Sequence, residues 1–218
     1  MKQLRIGHCV LAYRQNVKVQ TAFSLQRDAI WATSQGHVYQ TFYLDMSSIT
    51  RARNRAVERA RANGLDILVM QDADCYVLQE SAACLLKETV TEMLRKQAAC
   101  CGAVFICRGV DRMNAEPARP GESYEGEVGT GYMAIDMRKL KELPTPWFEH
   151  HCADDGYTTI VGEDIYFCRK VKEAGHKALV WYKTPTGHAF DGHLRCHPDE
   201  LAKGVTDIVY AGNVALQR

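Results

Sequence analysis

The segment Asp66-Ile67-Leu68-Val69-Met70-Gln71-Asp72-Ala73-Asp74 decides the fold. Its four consecutive large apolar residues are too few for a buried helix and lack the alternation of a half-exposed strand. Asp66 to Gln71 therefore reads as a strand covered on both faces, the kind found in parallel sheets. The run ends abruptly in two carboxylates one residue apart, which places acid at the carboxyl end of a buried strand.

Working outward, Leu4 to Tyr13 is apolar and β-rich, and Val19 to Ala32 sets Ala22, Leu25, Ile30 and Trp31 at helical spacing. His37 to Leu44 alternates as a strand, and a second helix runs from near Thr50 to a stop at Asn63-Gly64. Beyond the acids, Gln79 to Lys96 predicts a helix, Ala98 to Cys107 a strand, Val128 to Ile135 a strand and Arg138 to Leu143 a short helix. Gly162 to Ala174 predicts a helix closed by Gly175, followed by a strand over Lys177 to Tyr182. Arg108 to Glu127, with two prolines and three glycines, predicts a long functional loop. Strands alternating with helices predict an α/β domain: a mostly parallel mixed sheet with helices on both faces, taking residues 1–218 as one unit.

Composition agrees with that class. The chain has 218 residues, 46% hydrophobic and 24% charged, enough to bury a substantial core and unlike disordered, collagen-like or small disulfide-stapled chains. A net charge of +1 gives no global attraction to nucleic acid or anionic membrane. The longest nearly unbroken apolar stretch, Ala98 to Cys107, has about half the residues a bilayer crossing needs. The polar start Met1-Lys2-Gln3-Leu4-Arg5 leads into no signal-type apolar region, so a soluble cytoplasmic protein without an integral membrane segment is expected. Nine cysteines without a CxxC pair predict reduced thiols, and Cys75, Cys84, Cys100, Cys101, Cys107 and Cys168 read as small hydrophobes in or beside apolar segments.

Two carboxylates this close repel each other and lose hydration together, and a divalent cation relieves both problems. Asp72 and Asp74 at a strand's carboxyl end therefore fit a Mg²⁺ or Mn²⁺ site that also holds a pyrophosphate. A polar turn after a strand gives the same triplet, so the decision rests on other segments. Thr50-Arg51-Ala52-Arg53-Asn54-Arg55 precedes the strand. After it come Glu127-Val128-Gly129-Thr130-Gly131, Pro146-Trp147-Phe148, Gly162-Glu163-Asp164-Ile165-Tyr166-Phe167 and Thr186-Gly187-His188.

In that order and spacing the chain resembles a GT-A-fold glycosyltransferase of the family-2-like group, from about Leu4 to His188. The resemblance implies that Asp74 binds the metal directly, that Asp72 reaches the ribose or a metal-bound water, and that His188 completes the metal shell, with His193 a competitor. An imidazole ligand favours Mn²⁺ over Mg²⁺. It further implies that Asp164 takes the proton of the acceptor hydroxyl with inversion, beside Glu163, which holds the acceptor; a helix N-terminus suits a carboxylate, whether as base or as first-turn acid. Asp45 would meet the nucleobase or ribose, and Arg53 and Asn54 would open the helix facing the donor diphosphate. The arginine run around them reads equally as a solvated helix face. Gly129 and Gly131 would let backbone approach the sugar, or mark a bulge. Trp147 and Phe148 would stack on sugar or base, or fill the core. Residues 150–157 lack periodicity and form a candidate lid.

The donor implied is a nucleotide-sugar of UDP or GDP type; the proline usual after the first strand is missing at Ala12-Tyr13-Arg14, which leaves the carrier open. A glycan or lipid-linked sugar is the expected acceptor, with a hydroxylated DNA base as the alternative. The Gln-x-x-Arg-Trp signature of processive synthases is missing, so chain extrusion is not expected. Two further readings are nucleotidyl transfer, which wants a glycine-rich loop that Ala12 to Lys18 lacks, and a zinc or nucleic-acid module built from His188, His193, Cys196 and His197.

Overall fold

A computed structural model describes residues 2–12, 16–45, 48–78, 81–105, 123–156, 158–189, 192–196 and 207–210. In chain order the elements begin β1 (Arg5–Leu11), α1 (Val19–Ser34), β2 (Val38–Leu44), α2 (Ile49–Ala62), β3 (Ile67–Asp72), β4 (Cys75–Val77), α3 (Leu85–Arg95) and β5 (Cys100–Ala103). There follow β6 (Tyr124–Glu125), β7 (Tyr132–Asp136), a 3₁₀ helix at Lys139–Glu142, β8 (His151–Cys152), β9 (Thr159–Val161), α4 (Glu163–Glu173), β10 (Ala178–Trp181), β11 (Thr186–Ala189), β12 (Gly192–Cys196) and β13 (Asp207–Tyr210).

The main sheet has seven strands in the order β2-β1-β3-β7-β5-β10-β6. β1 is parallel to β2 and β3, and β10 is parallel to β5. β7 runs against both β3 and β5, and β6 against β10, so five strands share one direction in an α/β sheet of the expected class. The β3 run is continuous because both its faces are covered. Leu68 and Met70 pack with Ala56, Val57 and Ala60 of α2 and Phe167 and Val171 of α4, whereas Ile67 and Val69 pack with Leu85, Leu86, Val90 and Met93 of α3. Each of the buried Val, Leu, Ile, Met and Phe side chains among them contributes roughly 1.5–3 kcal/mol.

Several expected boundaries move. α3 starts at Leu85 rather than Gln79, because the Asp28 carboxylate on α1 accepts the Leu86 N–H (3.1 Å) and Cys84 Sγ accepts that of Lys87 (3.5 Å). Those groups cap the first turn. The strand expected from Ala98 narrows to β5, and its end at 106–107 lies outside the described residues, as do 108–122 of the expected loop. The remainder of that loop carries β6 on the sheet edge. The strand expected from Val128 begins only at Tyr132, and the described part of the candidate lid contributes β8 to a two-stranded hairpin with β9. Among the described residues no helix is long and apolar enough to cross a membrane.

A second sheet was not expected. It has the order β13-β12-β11-β4, all pairs antiparallel, and β4 starts at the residue after Asp74. Within it His188 lies opposite Cys75 and Gly187 opposite Tyr76. Gly187 is required there, since a Cβ would stand 2.4 Å from the Tyr76 ring.

Candidate active site

The carboxyl ends of β2, β1 and β3 are level, with Leu44, Leu11 and Asp72 in one cross-strand row. Asp45 follows on β2 and is exposed. Beyond Asp72 the chain is pinned by its own backbone. Ala73 donates to Leu11 O (3.2 Å), and its carbonyl accepts from the Lys18 N–H (2.9 Å) and the Thr21 hydroxyl (2.9 Å). The turn carrying both acids is thus fixed to β1 and α1 at the sheet rim.

Asp74 meets His188, with Oδ1 and Nε2 3.4 Å apart, and the Ala189 N–H donates to the Asp74 carbonyl (2.7 Å). One donor atom each from Asp74, Cys75 and His188 lie within 4.8 Å of one another. Two ligands at about 2.0–2.1 Å stand roughly 3.4 Å apart on a tetrahedral ion and about 3.0 Å apart at neighbouring corners of an octahedral one, so the Asp74–His188 spacing suits a shared divalent cation with at most a small shift. The residues present therefore fit a metal. The other expected histidine, His193, lies on β12, and its side chain is outside the described residues, as are Cys196's side chain and His197.

Asp72 turns instead to Arg53. The guanidinium Nη2 is 3.5 Å from Asp72 Oδ1, while Nη1 donates a short bond to Glu163 Oε1. Glu163 Oε2 is 3.3 Å from His150 Nδ1. A chain of contacts thus runs His150, Glu163, Arg53, Asp72, joining the N-terminus of α4 to the end of β3. Burial works against the charge of Arg53, but Asp72, Glu163 and Asp164 outweigh it and hold the guanidinium above its ordinary range. Burial raises the Asp72 carboxyl, against the pull of Arg53 and His188. Asp164 is half-buried in the first turn of α4 and accepts from the Ile165 N–H (2.8 Å).

Other expected site residues have structural work. Asn54 Oδ1 accepts from the Trp147 (2.9 Å) and Phe148 (3.2 Å) N–H groups, and its Nδ2 donates to Phe148 O (2.8 Å) and Thr50 O (2.8 Å). All four bonding positions of the amide are used, so Asn54 shapes the turn after Pro146. Trp147 is 3% exposed with the Arg61 guanidinium over its ring at 4.6 Å, and Phe148 stacks on Phe167 at 4.5 Å. Both are core residues where a stacking platform was one expectation. At Gly131 the space of a Cβ is filled by Phe105 (2.9 Å) and Cys75 Sγ (3.0 Å), while its carbonyl accepts the Asp72 N–H (3.1 Å); Gly129 is buried. Glycine at 131 therefore lets core atoms, not an open approach, close beneath the acids.

The sequence did not single out His150 or Cys75 as site residues. His150 falls in the candidate lid, and its partner Glu163 is thirteen positions away with no periodic link. Cys75 read as an apolar thiol, although its position directly after Asp74 was the available signal. A groove of about 610 Å³ opens beside His150, lined by Thr50, Arg51, Glu58, Thr145 and Glu149 among others.

No family model and no curated protein matches the sequence. Solved structures do. A197 from STIV aligns with a TM-score of 0.64 at 14% identity, over 99% of this chain and 98% of that chain. GalNAc-T7 with UDP, GalNAc and Mn²⁺ aligns with a TM-score of 0.52 at 15% identity, over 86% of this chain and 43% of that chain, so this chain spans less than half of it. A UDP-glucose pyrophosphorylase aligns more loosely, with a TM-score of 0.46 at 9% identity over 84% of this chain. At such identities the likeness is one of fold, a GT-A-type α/β sheet.

Proposed function

We propose that the chain is a metal-dependent inverting glycosyltransferase that moves one sugar from a UDP- or GDP-type donor to a hydroxyl acceptor. The observation that carries this reading is Arg53, which contacts Asp72 and Glu163 at once. That contact links the acid turn to the N-terminus of α4 through one side chain and supports reading their acids as one site.

Asp74 and His188 would hold Mn²⁺ or Mg²⁺, with Asp72 alongside, and the bound ion supplies neutralisation of the diphosphate as it leaves. Arg53, locked by Glu163, presents positive charge beside that position without needing to reorganise. Glu163 has both oxygens engaged by Arg53 and His150, so it positions rather than accepts a proton. Asp164 then takes the acceptor O–H proton while the acceptor oxygen bonds the anomeric carbon, and the carbon–phosphate oxygen bond breaks with its electron pair leaving on the nucleoside diphosphate.

A sugar acceptor is the first reading and a DNA base the alternative: in the arginine run Arg53 is buried and Arg55 pairs with Glu58 (2.8 Å), whereas Arg51, Arg59 and Arg61 are exposed and keep their charge, so salt-sensitive DNA binding is the outcome that would turn the reading to the base.

The test is a nucleotide-sugar panel with Mn²⁺, Mg²⁺, Co²⁺ or Zn²⁺ in turn, reading thermal stabilisation and donor hydrolysis for wild type and Asp74→Ala. A true donor at 100 times its Kd stabilises by about 2.7 kcal/mol. Asp164→Asn should keep that stabilisation and lose transfer. No stabilisation by any donor overturns the assignment, and release of pyrophosphate from sugar phosphate and nucleotide redirects it to nucleotidyl transfer.

A further inference from the structure

The proposed cation site contains a donor that a hard-metal site does not use. Cys75 is 1% exposed, yet its Sγ belongs to the cluster with the Asp74 carboxylate and the His188 imidazole, all within 4.8 Å. Three constraints aim the thiol there. The antiparallel β4–β11 register places Cys75 directly opposite His188, so the two side chains share one face. Gly131 leaves room for the sulfur, which stands 3.0 Å from where its Cβ would be. Phe105 and Tyr132 form the apolar wall on that side.

We propose that Cys75 is a third protein ligand, and that this makes the site select thiophilic borderline ions, Zn²⁺ or Co²⁺, over Mg²⁺. The inference rests on the metal site of the preceding reading. One oxygen, one imidazole nitrogen and one sulfur form a set that suits zinc-like ions, whereas Mg²⁺ takes oxygen ligands at octahedral corners. As the sulfur–metal bond forms, the thiol proton leaves to solvent, so the bound sulfur is a thiolate. One or more coordination positions stay open for diphosphate oxygens. The thiolate also lowers the net charge of the bound ion, which tunes how strongly it attracts the leaving group.

The experiment uses metal-stripped full-length chain titrated with Co²⁺, Zn²⁺, Mn²⁺ and Mg²⁺, read by calorimetry and, for Co²⁺, by near-ultraviolet absorption. Wild type should show a thiolate-to-cobalt charge-transfer band. Cys75→Ser and Cys75→Ala should lose the band and bind Co²⁺ and Zn²⁺ about tenfold or more weakly, with Mn²⁺ affinity changed far less. Two variants guard against one misfolding, and circular dichroism checks both. Co²⁺ binding to wild type without the band, or a band that survives in both variants, overturns the thiol assignment and leaves the Asp74–His188 site standing. Failure of wild type to bind any of the four ions overturns both.

Discussion

Replacing Arg53 tests the join between the two halves of the site most directly. Its side chain is 4% exposed and that of Glu163 9% exposed, so the pair is cut off from water. Arg53→Met leaves the Glu163 carboxylate buried with only His150, itself 38% exposed, at 3.3 Å. An uncompensated buried charge of this kind costs about 3–5 kcal/mol. Glu163→Gln removes the charge but leaves a group able to accept from Arg53, whose guanidinium still faces Asp72; a loss of about 1.5–3 kcal/mol is expected. Combining the two removes the stranded carboxylate, so Arg53→Met/Glu163→Gln should be more stable than Arg53→Met alone, with a coupling of about 2 kcal/mol or more. Urea unfolding of the four proteins followed by circular dichroism measures this, provided the slopes match. Additivity within about 0.5 kcal/mol would show that the two side chains do not act as a pair, and the argument for a single linked site would fall with it.

Three further outcomes follow from other residues. Burial lowers the buried His8 from 6.5 to about 3 and raises Asp28 from 3.8 to about 6, so folding moves a proton from imidazole to carboxyl and the two linkages cancel between about pH 4 and 6. Asp28→Asn should leave the His8 contribution, present above its unfolded value and lost as pH falls, so stability rises by about 3 kcal/mol from pH 4 to 6; His8→Gln should leave the Asp28 contribution, lost as pH rises through 6, and fall by about as much; parallel denaturation profiles refute the pairing. Gly187→Ala drives a Cβ into the Tyr76 ring and should cost about 1–3 kcal/mol while weakening Mn²⁺ binding at neighbouring His188; because Tyr76 is itself buried, the check is that Gly187→Ala costs nothing further in a Tyr76→Ala background, and an undiminished cost there places the effect elsewhere. Asn54→Ala strands two buried N–H groups at Trp147 and Phe148 and should cost about 2–4 kcal/mol in urea; a loss below about 0.5 kcal/mol would show that the turn holds itself.

The main sheet was legible because its signals are local. A both-face strand such as Ile67–Asp72 announces itself as an unbroken apolar run, and α2 announces its end at Asn63-Gly64, where Gly64 takes a positive φ of 59°. Strand direction left no comparable mark: β7 has all five residues buried and reads like its parallel neighbours, yet it runs against them. β4 was invisible for another reason. Three residues carry no period, and its partner β11 lies more than a hundred positions later, so only the fold reveals that the segment after the acids is a strand. That omission concealed Cys75 as a neighbour of His188.

The same non-local contacts give the scattered motifs a common cause. Arg53 and Asn54 are consecutive on α2 and diverge, one reaching Asp72 and Glu163, the other holding the backbone of Trp147 and Phe148. Phe148 in turn stacks on Phe167, three residues past Asp164 on α4, so the turn that Asn54 fixes also seats the helix that carries the candidate base. On the other side Gly187 admits Tyr76 and thereby sets the register that brings His188 to Asp74. A change at any one of these positions acts on the acids through a named contact. This is why Asn54, Phe148 and Gly187, whose contacts in the structure are internal ones, should alter metal and donor binding together with stability. A purely catalytic role for the motif residues would instead leave stability untouched when they are replaced.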